Sequence, residues 1–272
     1  VIWLDPLLLL ELLALGAGTG FLAGLLGIGG GMLMVPFLTL ILGHRGVAPG
    51  LAVKMAIATS MATILFTSLS SVRAHHLRGT VRWDIVRSVA PGIAIGGLVS
   101  GAGVFALLKG SALALLFAGF LGFSATQMLR GMKPSPGRQL PGPLGAGAVG
   151  SVIGLVSGLL GAGGGFMSVP FMTFCNVGVH QAVATGAALG FPIALANTLG
   201  YVVGGWQLPS AISGAVGYLV LPALAVIASA SVFTAPLGAR AAHALDRRQL
   251  QRVFAVLLYG LAAYMGWRGL TA

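Results

Sequence analysis

A fourteen-residue stretch occurs twice in this chain. Gly24-Leu-Leu-Gly-Ile-Gly-Gly-Gly-Met-Leu-Met-Val-Pro-Phe37 returns as Gly158-Leu-Leu-Gly-Ala-Gly-Gly-Gly-Phe-Met-Ser-Val-Pro-Phe171, with ten of fourteen positions identical. Agreement of that order is not accidental, so the fold must accommodate two copies of one unit. The correspondence continues more weakly downstream, where Ala58-Thr59-Ser60 aligns with Ala184-Thr185-Gly186. Each copy holds three consecutive glycines, Gly29 to Gly31 and Gly163 to Gly165, followed by Val35-Pro36 and Val169-Pro170. Glycine frees the backbone from helical geometry, and a proline ring disfavours a regular turn before it.

The solvent for this chain is lipid. Of its 272 residues 57% are apolar and only 7% charged, whereas soluble chains carry about a quarter charged residues. Apolar segments lie near 7–27, 32–43, 49–73, 88–108 and 111–130, then near 144–161, 166–176, 180–203, 213–236 and 250–269. A hydrocarbon layer about 30 Å thick needs about 20 residues per helical crossing. Met32–Gly43 and Phe166–Asn176 are therefore too short to span, and they predict half-helices or re-entrant elements directly after the glycine triplets. The expected fold is an all-α polytopic membrane protein of two repeats with about five hydrophobic segments each: residues 1–131, a cytoplasmic linker 132–143, and residues 144–272. The run from Leu7 has Asp5 before it and Glu11 inside it, not the basic flank of a signal peptide, and is expected to remain as a helix.

The net charge of +11 follows the positive-inside rule and does not mark a nucleic-acid binder. Arg73, Arg78, Arg82 and Arg87 crowd the loop after the third segment, while the equivalent loop near 204–213 has no Lys or Arg. One connection later the bias reverses: Lys109 stands alone in the first half, against Arg240, Arg247, Arg248 and Arg252 in the second. With Arg130, Lys133 and Arg138 in a cytoplasmic linker, each half crosses an odd number of times, the halves are inverted, and both termini lie outside. Inverted repeats with broken helices place their sites near the bilayer midplane.

The two triplets are the leading site candidates. A half-helix beginning at Gly29, Gly30 and Gly31, or at Gly163, Gly164 and Gly165, presents N–H groups and a positive dipole end, which suit an anion. Met32 and Phe166 follow directly. Gly20, Gly24, Gly27, Gly150, Gly154 and Gly158 sit at small-xxx-small spacing and read as helix packing. On the third segment of each half, Thr59 with Ser60, and Thr185 with Asn197, are the hydroxyl and amide donors placed to reach oxyanion oxygens, although most such groups bond back to their own helix. Lys54 reads as an interfacial cation or an anion vestibule. His75 and Arg78 read as a cytoplasmic cap or gate, with no third ligand to make a metal site. Glu11 is the one acid within a span and a candidate for proton coupling. Neither triplet is followed by Gly-Lys-Ser/Thr, so no nucleotide loop is present. Cys175 is the single cysteine and reads as packing. No cofactor or metal is implied.

The doubled glycine motif, the Ala58-Thr59-Ser60 run and the His75-x-x-Arg78-Gly79 loop resemble the sulfite exporter TauE/SafE family over nearly the whole chain. The resemblance implies a secondary transporter in the bacterial cytoplasmic membrane. It would carry sulfite or organosulfonates, outward, coupled to an ion gradient with the proton as candidate ion. Ser60 against Gly186, and His75 against Tyr201, predict an asymmetric site. Alternatives are an anion channel, an uptake permease for another small anion, or a membrane assembly subunit of sulfur metabolism. No catalytic constellation points to an enzyme. Expected partners are the anion, the coupling ion, the lipid bilayer and, as a homodimer, a second copy.

Overall fold

The computed structural model describes residues 5–26, 30–130, 139–163, 165–208, 213–241 and 247–271. Gly29, Gly164 and most of the linker, with Lys133 and Arg138, lie outside the described residues. The first half contains α1 (Pro6–Leu26), α2 (Gly31–His44), α3 (Pro49–Leu77), α4 (Trp83–Leu107) and α5 (Gly110–Arg130). The second contains α6 (Pro143–Leu160), α7 (Gly165–Phe174), α8 (Val179–Gly204), α9 (Leu221–Ala241) and α10 (Arg247–Thr271). Among the described residues eight helices are long and apolar enough to cross a membrane, and α2 and α7 are the two shorter ones. This is an all-α polytopic membrane protein.

One expected element differs. The segment near 213–236 begins not as helix but as a tight hairpin, β1 (Ala215–Val216) paired antiparallel with β2 (Leu219–Val220), and α9 starts only at Leu221. Gly217 turns the hairpin at φ +59°, a conformation that suits glycine. Within α4, Val99–Val104 forms a π-turn over the Gly101 crossing with α8.

The most extensive helix contacts are α1 with α9, α4 with α6, α4 with α8 and α5 with α10, followed by α3 with α8. Under exchange of the halves, α1–α9 becomes α6–α4, whereas α5–α10 and α3–α8 each map onto themselves. The two units are thus interlocked, each first helix lying on the fourth helix of the other. Glycines at matching places make these crossings possible. Side chains at Gly16 and Gly20 would strike the backbone of Ile227 and Ser231 in α9, and at Gly150 and Gly154 that of Val89 and Ile93 in α4. Gly92 and Gly96 face the Gly147 and Ser151 carbonyls in return. Ser231 completes the α1–α9 contact by donating to the Gly16 carbonyl at 2.9 Å.

Equivalent helices α3 and α8 run antiparallel. Near the start of α3, Lys54 lies 5.3 Å from the Tyr218 ring centroid, and Tyr218 is held to the end of α8 by its N–H bond to the Tyr201 carbonyl. Beyond the other end of α3, the Arg82 N–H donates to Thr185 near the start of α8 at 3.0 Å.

The start of α1 and the end of α2 also lie together, since Arg45 pairs with Asp5 and stands 3.6 Å from Glu11. The Arg45 guanidinium, by its hydrogen bond, holds the Asp5 carboxyl below its ordinary range. Segment α2 therefore returns toward the face from which α1 sets out. Its 14 residues rise about 21 Å, and Gly30 packs at the level of Thr19. Gly30, at the start of α2, therefore stands about 20 Å along α1 from that end, more than half the thickness of a hydrocarbon core of about 30 Å.

Gly96→Ala at the α4–α6 crossing is expected to lower the melting temperature in detergent, because an added methyl meets backbone that cannot yield; overpacking of this kind costs about 1–3 kcal/mol. Gly119→Ala, where a Cβ meets nothing within 4 Å, is the control and should melt at or slightly above the parent.

Candidate functional site

The two glycine breaks meet. The first turn of α2 packs against the end of α6, where Gly161 closes the helix at φ +58° and its N–H caps the Ser157 carbonyl. A Cβ on Gly31 would run into the Gly161 carbonyl, so only glycine permits this approach. Ile64 of α3 reaches both breaks, its Cδ1 lying 3.4 Å from a Cβ position on Gly31 and 3.5 Å from one on Gly163. Gly30, the residue before α2, makes no side-chain cap, and the helix N-terminus is closed by no Ser, Thr, Asp or Asn.

Ser60 stands at this N-terminus. It has no solvent exposure, its Oγ has no hydrogen-bond partner among the described residues, and it lies 3.4 Å from a Cβ position on Gly31. An unpartnered buried hydroxyl is unfavourable by about 1–3 kcal/mol, so a group that sits here needs another reason. At the second break the matching contact is tighter. Gly186 replaces Ser60, and a Cβ on it would lie 3.3 Å from Gly165 Cα, 3.2 Å from Ser168 Oγ and 2.9 Å from Val169 Cγ2. The pair of breaks is consequently asymmetric, with an open donor on one side and backbone contact on the other.

Thr59 and Thr185 occupy matching places of another kind. Thr59 accepts the Val220 N–H at 3.1 Å, just before α9, and Thr185 accepts the Arg82 N–H at 3.0 Å, just before α4. Each third helix thereby caps the fourth helix of the other half. Val220 reaches Thr59 about 15 Å along α3 from its start, where water is not at hand to satisfy an N–H. Both threonine side chains are fully buried.

Asn197 and Tyr201 clasp the last turns of α6. Asn197 Nδ2 donates to Ile193 and Gly154 carbonyls at 2.8 and 3.3 Å, while Oδ1 is left against Gly158. Tyr201 donates its hydroxyl to the Gly158 carbonyl, and Ser100 donates to that of Leu155 at 3.0 Å. The arrangement fixes the rim of the second break from α8 and α4. Tyr201 enters sequence reasoning only as the counterpart of His75, and Ser100 gives no signal at all; their partners are backbone carbonyls, which leave no trace in a sequence.

Of the remaining candidates, Met32 is buried in α2, and Phe166 packs edge-on against Phe120 of α5 with centroids 4.3 Å apart. Lys54 donates to the Ala106 carbonyl at 2.9 Å, between the Phe105 and Tyr218 rings, and so ties α3, α4 and the hairpin together. His75 and Arg78 close α3: the Gly79 and Thr80 N–H groups bond the His76 and His75 carbonyls. They lie at the opposite end of α3 from Lys54. Glu11 shares Arg45 with Asp5 at the N-terminal end of α1.

The sequence profile of the family described as "Sulfite exporter TauE/SafE" matches residues 12–265. A probable membrane transporter protein of Haemophilus influenzae is 35% identical over 255 residues, covering 93% of this chain and 96% of that protein. One of the same description from Methanocaldococcus jannaschii is 27% identical over 273 residues, covering 95% and 96%. Another, from Bacillus subtilis, is 28% identical over 194 residues, covering 69% and 76%. No solved structure matches the chain.

Thr59→Val and Thr185→Val each remove one cross-half cap while keeping shape. Each is expected to lower stability by about 1 kcal/mol, read as a fall in detergent melting temperature, and the two losses should add because the sites share no partner.

Proposed function

Because the chain belongs to the sulfite exporter TauE/SafE family, we propose that it is a secondary transporter that carries small sulfur-containing oxyanions, sulfite or organosulfonates, outward across the cytoplasmic membrane. The anion binds where the glycine breaks meet, and the interlocked halves rock about that point to expose it to either face. The observation that carries this reading is the unpartnered, fully buried Ser60 hydroxyl beside the uncapped N-terminus of α2. A hydroxyl donor, backbone N–H groups and a positive dipole end together favour an oxyanion over a cation or an apolar solute.

Membrane orientation follows from charge. The face with the Arg73 to Arg87 loop and the linker is the cytoplasmic one, and the face with the Asp5–Arg45 pair, Lys54 and Lys109 is external. Antiparallel α3 and α8 support the inverted relation of the halves. The coupling ion is a proton, and the acids that bear on it are few: Asp5, Glu11, Asp84 and Asp246 are all the chain has.

In proteoliposomes the protein is expected to give saturable, gradient-dependent sulfite flux. Ser60→Ala should reduce apparent affinity about tenfold, as loss of a hydrogen bond to a charged ligand does, and leave the melting temperature unchanged or higher. Sulfite and sulfonates that neither bind nor move would exclude the substrate class; flux that never saturates would favour a channel.

A further inference from the structure

One ridge of α2 runs Gly31, Val35, Thr39, Gly43, four residues apart, from the break toward the face of the Asp5–Arg45 pair. Three polar atoms without hydrogen-bond partners among the described residues, Ser60 Oγ, Thr39 Oγ and Arg268 Nε, stand along it. Ser60 lies at Gly31. Thr39 is itself fully buried with its Oγ unbonded. At Gly43 the guanidinium of Arg268, from α10, packs so closely that a Cβ there would collide with Nη2, and its buried Nε has no partner.

Neither Thr39 nor Arg268 is accounted for by local structure. A threonine within a helix ordinarily bonds back to its own backbone. Thr173, the counterpart of Thr39 in α7, does so, donating to Val169 and Pro170 carbonyls at 3.0 Å each. Thr39 has the Val35 carbonyl at the same offset, yet its Oγ bonds nothing among the described residues. Arg268 sits at the C-terminal end of α2, where the helix dipole favours a cation, yet its buried Nε has no hydrogen-bond partner among the described residues. No carboxylate is left for it among the described residues: Asp5 and Glu11 go to Arg45, and Asp84 to Arg82. Arg45, the neighbouring cation at this end of α2, is neutralised, and Arg268 has no carboxylate partner among the described residues.

We propose that Ser60, Thr39 and Arg268 are successive stations of the anion's outer path along α2, with the Arg268 guanidinium as its mouth. This rests on the anion-transport reading of the break. Thr39 and Gly43 stand about 12 and 18 Å beyond Gly31 by helical rise, so an oxyanion leaving the break meets donors along the ridge to the membrane face. Val35 separates the first two stations. It has no exposure, and its Cγ2 lies 3.2 Å from a Cβ position on Gly161, so the path is closed there in this structure and opens when α2 and α6 part. The second half has no equivalent line, because Thr173 is bonded and Gly186 replaces Ser60. The outer and inner halves of the route are therefore built differently.

Thiol labelling tests this without needing the natural substrate. In the full-length protein with Cys175→Ala, Thr39→Cys is expected to react about tenfold faster with sulfonatoethyl methanethiosulfonate than with its trimethylammonium analogue, as a positive local potential requires. Arg268→Gln should erase that preference, and Arg268→Lys should keep part of it. In proteoliposomes Arg268→Gln should raise the half-saturating sulfite concentration about tenfold with an unchanged melting temperature. A Thr39→Cys thiol that is unreactive, or reacts without regard to charge, overturns the path, as does unaltered half-saturation in Arg268→Gln. Wild-type protein that moves no sulfur oxyanion instead overturns the transport reading, and the labelling result stands apart from it.

Discussion

In hydrocarbon a backbone that leaves the helix has no water to bond to, and each orphaned N–H or C=O there is worth several kcal/mol. Two such departures, at the glycine triplets, are what the rest of this structure is arranged around. Gly31 lies on the Gly161 carbonyl, Ile64 covers both breaks, and Tyr201, Ser100 and Asn197 bind the last carbonyls of α6. The third helices α3 and α8 pass beside the breaks and supply Ser60 and Gly186 to them. Farther out, α1 on α9 and α4 on α6 lock the halves together through glycine contacts, so neither half can supply the surroundings of its own break alone.

The same constraint explains the paired threonines. The N–H groups just before α4 and α9 need an acceptor, and that of Val220 lies well along α3, where water is scarce. Thr185 and Thr59 provide it from the opposite half. Residues that sequence reasoning places in the binding site thus hold the halves together, while the neighbouring Ser60, one position on, keeps its donor unused. Adjacent polar residues on one helix face different partners, 100° apart around the axis, and can serve different ends.

Much of the fold was legible in the sequence. Apolar length separated spanning from short helices, and α2 and α7, which follow the two copies of the motif, begin at the third glycine of each triplet. The interlocking was not legible, because glycine spacing shows that helices touch without showing which ones. The hairpin before α9 was missed because Ala215–Val220 is apolar enough to pass for membrane helix, and only the left-handed backbone at Gly214 and Gly217 separates the two. At the site, Ser60 could be read from its place beside the repeat. The roles of Tyr201, Arg268 and Thr39 could not, since each depends on what a tertiary neighbour leaves bonded or unbonded. Thr39 and Thr173 occupy equivalent positions in sequence, yet the hydroxyl of Thr173 is bonded and that of Thr39 is not among the described residues.

What emerges is a transporter-family chain whose donors lie on one side of its junction. The first break offers Ser60 and an uncapped helix end; the second offers close-packed backbone. The most direct measurement is a crystal structure of the protein grown with selenite, a heavy analogue of a sulfur oxyanion, with the selenium located by its anomalous signal. The account predicts one dominant peak within hydrogen-bonding distance of Ser60 Oγ and the first N–H groups of α2. Selenium bound elsewhere, with the junction at Gly31 and Ser60 empty, would contradict it.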